Sequence, residues 1–148
     1  MLILSPETVT LGTITLDRVV AFTVDRAATV MAEHWSDLGP FQVYADAAEQ
    51  RVVFTIVQEL RESRDGWIKP GDLTSLAVRF GPTAGDQGRR TLTCAAAVVE
   101  SVRHELGRQR GGGGAFSATA AAREARRIIK LIGLSSDGQN DVFALDPL

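Results

Sequence analysis

Few residues in this chain are of types that do chemistry, and their spacing keeps them apart. His34 and His104 are the only histidines, and they lie far from each other along the chain. One imidazole can move a proton near neutral pH, but it needs a partner to orient it. Each reads as a surface or satisfied residue. Cys94 is the sole cysteine, so no intrachain disulfide can form. It falls on the apolar side of an alternating stretch, which predicts a buried, inert thiol suited to a reducing compartment. No Cys/His pairs have zinc spacing. Asp137 and Asp141, in Ser135–Asp141, resemble part of a calcium loop. Their spacing differs and no glutamate closes the loop, so a turn is expected. The residues thus predict no catalytic, cofactor-binding or metal-binding group, and a protein that is not an enzyme.

Two segments carry groups suited to recognition instead. Arg108–Gly114 is basic and glycine-rich. It lacks the Gly-Lys-Ser/Thr ending of a phosphate loop and the spaced glycines of a dinucleotide turn. A flexible hairpin tip is expected, with Arg108, Arg110, Gly111 and Phe116 as a contact loop. Arg103, Arg108, Arg110, Arg123, Arg126 and Arg127 make this region basic, but only Phe116 lies among them. A single-strand nucleic-acid platform interleaves more aromatics, so a solvated or subunit-facing surface is the reading. The second segment is Arg61–Gly71. The turn dipeptides Asp65-Gly66 and Pro70-Gly71 bracket the apolar pair Trp67-Ile68. That pair either folds back on the core or docks on another subunit. Arg61, Arg64, Asp65, Trp67, Ile68 and Lys69 are the candidate contact residues.

The elements that must position these loops are strands. Val52, Phe54, Ile56 and Leu60 share one side of Arg51–Leu60, and Leu76, Val78 and Phe80 share one side of Ser75–Phe80. Leu92, Cys94, Ala96 and Val98 do so in Thr91–Val98, as do Leu16, Val20, Phe22 and Val24 in Leu16–Val24. Side chains alternate across a strand, so each segment can bury one face and wet the other. Thr8–Leu16 reads as a strand with Gly12 as a bulge, and Asp17-Arg18 as a bend. Ala27–Trp35 holds helix formers but also fits a strand. Asp37–Pro40 is a turn, Phe41–Tyr44 a short strand, and Asp46–Glu49 one helical turn capped by Asp46. Thr119–Lys130 favours helix by propensity. Ile128–Leu134 reads as a strand and Val142–Leu145 as a short edge strand.

The bulk properties suit one soluble domain. The chain has 148 residues, 45% hydrophobic and 23% charged, with a net charge of −2. Residues 1–72 carry a balance of −5 and residues 73–148 a balance of +3. Such a dipolar protein can stack head to tail, and chance scatter of charge over a solvated surface is the alternative reading. No signal peptide is visible, and nothing approaches a membrane helix. The expected location is the cytoplasm of the producing cell, with no membrane insertion.

Four stretches give the chain a family likeness: Val19–Arg26 (VVAFTVDR), His34–Pro40 (HWSDLGP), Tyr44–Leu60 and Ile128–Val142. In these the chain resembles the tail tube proteins of long-tailed bacteriophages and phage-like particles, and through them the ring-forming tube protein of type VI secretion. The resemblance implies a mainly β fold, a β-sandwich or squashed barrel with one short flanking helix. It implies six copies joined into a ring, rings stacked into a hollow tube, and a hairpin loop reaching the next ring. Arg61–Gly71 is the expected loop. DNA would pass non-specifically through the lumen, and the face carrying Thr55, Glu59 and Glu49 is a candidate lining. Sheath, tape measure, baseplate and tail terminator proteins would be further partners, and the virion tail the location. Two features depart from the family: Thr119–Arg127 reads as helix where the family favours a strand, and the tetraglycine has no family counterpart.

Two other readings remain open. A tail completion or baseplate component would form rings that do not grow. A small-ligand β-barrel, or an enzyme of unknown class, would be a monomer or dimer with a pocket of converging polar groups.

Overall fold

The computed structural model describes residues 1–60, 68–81, 88–106 and 125–147. Nine strands run through them: β1 (Leu2–Leu4), β2 (Thr8–Leu11), β3 (Ile14–Leu16), β4 (Val19–Trp35), β5 (Gln42–Leu60), β6 (Leu73–Phe80), β7 (Arg90–Leu106), β8 (Ala125–Leu134) and β9 (Ala144–Pro147). All pairings are antiparallel in one sheet, ordered β1-β4-β5-β8-β7-β6-β2-β3, with β9 also on β7. The hydrogen-bond ladder does not close.

Chain connectivity nevertheless bends the sheet round. Ser5–Glu7 alone links β1, at one end of the strand order, to β2 near the other. Asp17-Arg18 alone links β3, the last strand in the order, to β4, the second. A residue spans at most about 3.6 Å, so such short links force the two ends together. Ser5 N donates to Val20 O at 2.9 Å and Glu7 N to Arg79 O at 2.8 Å, fastening the links to β4 and β6. Inside the curl lies one apolar cluster built from every major strand, including Val9, Phe22, Phe54, Ile56, Leu76, Leu92, Ile129 and Leu131.

Several elements differ from expectation. Thr8–Leu16 is not one bulged strand. It is the β2–β3 hairpin, with Leu11 opposite Ile14. Gly12 sits at φ +58° in its two-residue loop, a conformation glycine adopts without steric cost. Asp46–Glu49 is not a helical turn: Asp46 pairs with Ala32 and Glu49 with Val30 inside β5. Ala27–Trp35 is the strand half of its two alternatives. Ala125–Lys130 is strand in β8, whereas residues 119–124 fall outside the described residues. No helix occurs among the described residues, so the expected flanking helix has no counterpart there. Cross-strand bonding to long neighbours overrides the weak local preference of Ala and Glu for helix.

The alternation read in Thr91–Val98 breaks midway. Leu92 and Cys94 point inward, but Ala97 and Val99 take over beyond them, leaving Ala96 and Val98 half-buried. Thr74 opposes Ala97 while Leu76 opposes Cys94, so β7 carries one extra residue there. A second irregularity lies between Val99 and Ser101, and inward pointing returns to Val102, which packs against the core. Each extra residue reverses which parity faces the core.

One polar pair is buried at the lower end of the core. Arg127 donates through Nε and Nη2 to Gln58 Oε1 at 3.1 and 2.7 Å, and Gln58 Nε2 donates to Asp17 O at 2.7 Å. Both side chains are about 6% exposed. Gln58→Ala removes one acceptor of a buried cation and the donor to a backbone carbonyl. Such losses cost about 1–3 kcal/mol each when unreplaced. Urea unfolding of this variant is expected to show a loss of at least about 2 kcal/mol. A loss below half a kcal/mol would mean water repairs the site.

Between β8 and β9 the chain makes a self-bonded turn. The Asp137 carboxylate accepts from Asn140 N at 2.8 Å, Gln139 N at 2.9 Å and Ser135 Oγ at 3.0 Å. These bonds, Asn140 N first, favour the charged form and lower the Asp137 pKa from 3.8 to about 2. The folded value is the depressed one, so the turn's preference for charged Asp137 is complete above pH 3.8 and lost as pH falls through about 2. A carbon-detected NMR titration should place the Asp137 midpoint near 2. A midpoint at the ordinary carboxylate value would refute these bonds.

Candidate functional site

The chemistry-bearing residues stay apart in three dimensions as well. His34 pairs across the ladder with Tyr44, and His104 lies opposite Arg127 at the far end of β7. Cys94 is buried, its Sγ donates to Ala96 O at 3.1 Å, and burial raises its pKa. That thiol is protonated and shielded at neutral pH. No group of three or more potential metal ligands gathers among the described residues. A shallow cavity of about 460 Å³ lies between Leu11, Ile14, Ile68, Leu73 and Val99. Two of its polar groups are engaged by their own chain: the Asp72 carboxylate accepts from Lys69 N, and Thr74 Oγ1 donates to Ser75 O.

The outlying feature is a ribbon. β8 pairs with β5 only as far as Val53, opposite Ile132, and β1 covers only Ala21–Thr23 of β4. From Arg26 and Val52 outward, β4 and β5 have only each other as ladder partners, while the side chains of Arg26 and Arg51 reach back to Asp141 and to Glu100 of β7. Residues Ala27–Trp35 and Gln42–Gln50 form the two arms, joined by a turn in which Ser36 N donates to Phe41 O at 3.1 Å. At about 3.3 Å per residue the ribbon reaches about 30 Å from the body.

Its surface is apolar and acidic. Leu38 is 99% exposed, Phe41 77% and Trp35 57%, with Val30, Met31, Val43 and Tyr44 also exposed. Between Ala27 and Gln50 stand Glu33, Asp37, Asp46 and Glu49, without one lysine or arginine. The ribbon thus carries −4 of the −5 balance of residues 1–72. Register irregularities at Ala28/Val30, Val30/Ala32 and His34/Trp35 mix its two faces, so neither is wholly polar. Isolated two-stranded ribbons are marginal in water, and apolar patches of this kind on soluble proteins mark interaction sites.

Of the residues expected at contacts, Arg61, Arg64, Asp65, Trp67, Arg108, Arg110, Gly111 and Phe116 lie outside the described residues. Ile68 is half-buried and packs against the core, which is the fold-back alternative for that residue. Lys69 is exposed. Thr55 and Glu59 lie half-buried on the outer side of β5, and Glu49 lies on the ribbon, where it accepts from Thr29 Oγ1 at 3.3 Å. The ribbon's exposed apolar residues, Trp35, Leu38 and Phe41, did not stand out in the sequence. The signals were present: a Gly-Pro turn between two apolar flanks, and a long run of acids without a base.

The β1 edge adds a second apolar surface. Leu2 and Leu4 are well exposed, and β1 pairs on one side only among the described residues. No described helix is long and apolar enough to cross a membrane. No protein-family model matches the chain, and comparison with curated proteins gives no match.

Proposed function

We propose that this chain is a self-associating structural subunit whose ribbon grips a neighbouring copy, as in the tube of a phage tail. The ribbon is the observation that carries the reading. It places large apolar side chains in water about 30 Å from the body and holds them there with only two strands. A second copy would cover that surface and give the ribbon the packing it lacks. The charge division supports the same partner: the ribbon is −4 and the rest of the chain +2.

One surface docking on a different surface of the next copy is a heterologous contact, which closes into rings or grows into filaments. The edge at β1, with Leu2 and Leu4, suits side-by-side joining of sheets, since open edges invite pairing. In this reading six copies form a ring, rings stack into a conduit for DNA, and the ribbon, rather than Arg61–Gly71 alone, makes the contact between rings. The tube would sit in the virion tail beside sheath, tape measure, baseplate and terminator proteins. DNA would slide through it without sequence recognition.

Size-exclusion chromatography with negative-stain electron microscopy of the concentrated protein tests this. Hollow tubes or stackable rings support the reading. Rings that never stack at any concentration point to a terminating ring component instead. A strict monomer at all concentrations, with the ribbon intact, would sink self-association.

A further inference from the structure

The ribbon's root is fastened to a distant part of the chain. Arg26 stands where β4 leaves the body, opposite Val52. Its Nη1 lies 3.1 Å from Asp141 Oδ1, and its guanidinium carbon sits 4.5 Å from the centre of the Phe143 ring. Phe143 in turn meets Phe54 edge-on, with ring centres 5.9 Å apart at 74°. Val142 fills the space left by Gly133, where a β-carbon would come within 2.2 Å of its Cγ1. Asp141–Phe143 is therefore anchored to the core on one side and holds the ribbon's root on the other.

We propose that Asp141–Phe143 is a releasable latch that sets the angle of the ribbon to the body. Among the described residues, two ion pairs tie that root to the body, Arg26–Asp141 on one strand and Arg51–Glu100 of β7 on the other, and beyond them the ribbon's ladder has only its own two strands. Two-stranded ribbons twist and bend readily, so contacts at the root govern where the tip points. The latch is built to open. Arg26 and Asp141 side chains are 44% and 68% exposed, so the ion pair is weak and screened by salt. The ring contact is the part that salt does not remove. A subunit joining a partner can then swing its ribbon without unpacking the core. The inference goes beyond self-association, because the latch acts within one chain.

The test is a distance measurement between spin labels on Leu38→Cys and Thr15→Cys, in a Cys94→Ala background. Phe41→Ser is added to keep the chain monomeric, so failure of the latch and failure of self-association are told apart. The latched chain is expected to give one narrow distance distribution at low salt. Arg26→Ala should widen it at least twofold, and 1 M salt should widen it less. Asp141→Asn provides a second variant at an exposed carboxylate, should Arg26→Ala unfold. An unchanged width in the folded variants would overturn the latch, as would a distribution already broad at low salt.

Discussion

Replacing Leu38 and Phe41 with serine is expected to leave the chain folded and stop it associating. Both side chains stand in solvent at the ribbon's turn, 99% and 77% exposed, and nothing in the core touches them. Their removal should change the stability of the single chain by no more than about half a kcal/mol, as for other exposed sites. In an assembly the same groups would be buried. A large apolar anchor at the centre of an interface contributes about 2 kcal/mol or more, about thirtyfold in affinity each. The double variant should therefore weaken association by about a thousandfold, within the limits of additivity. Sedimentation velocity against concentration reads this directly. Association unchanged by the pair would remove the ribbon from the interface. Adding Trp35→Ala should deepen the loss.

Phe54→Ala should do the opposite: destabilise the chain heavily before any question of assembly arises. Phe54 is fully buried, and it sits in β5 between Val24 of β4 and Leu131 of β8. Its ring stacks on Phe22 with centres 6.0 Å apart and meets Phe143 at its edge. It also lies against Gly133, where a β-carbon would be 2.8 Å from its Cε2. Truncation opens a cavity that four elements would have to collapse to fill. Buried Phe→Ala changes cost about 3–5 kcal/mol, against about 5–15 kcal/mol for the whole stability of an ordinary domain. Urea unfolding should show that loss with an unchanged slope. A loss below about 1 kcal/mol would mean the site repacks freely. The contrast with Phe41 is the point. Two phenylalanines of one long strand-turn-strand unit divide between holding the fold and reaching outward.

Much of the scaffold was legible because alternation is local. Leu73–Phe80 is a strand by its own pattern, and the structure buries Leu76, Val78 and Phe80 as that pattern requires. Arg51–Leu60 likewise buries Val52, Phe54 and Ile56. Cys94 falls inside for the same reason. Where one face is packed and the other wet, the sequence must record it.

The ribbon is legible only in part, because neither of its faces is packed within this chain. Ala27–Trp35 has no clear period, so its composition fits helix as readily as strand, and Asp46–Glu49 reads by itself as a helical turn. The partner strand decided the matter, through the Ala32–Asp46 and Val30–Glu49 pairings. The phase reversal in β7 was equally hidden, since an extra residue shows only against the register of β6 and β8.

By itself, then, the sequence determined a mainly β chain, the inward faces of its central strands and its uneven charge. These depend on neighbours a few positions apart. The tertiary structure alone decided that the sheet curls round its core, that β8 stops pairing at Val53 and leaves a ribbon in solvent, and that Arg26 meets Asp141 and Phe143. Those outcomes depend on where distant strands begin and end, and no short-range pattern encodes a strand that runs out of partner.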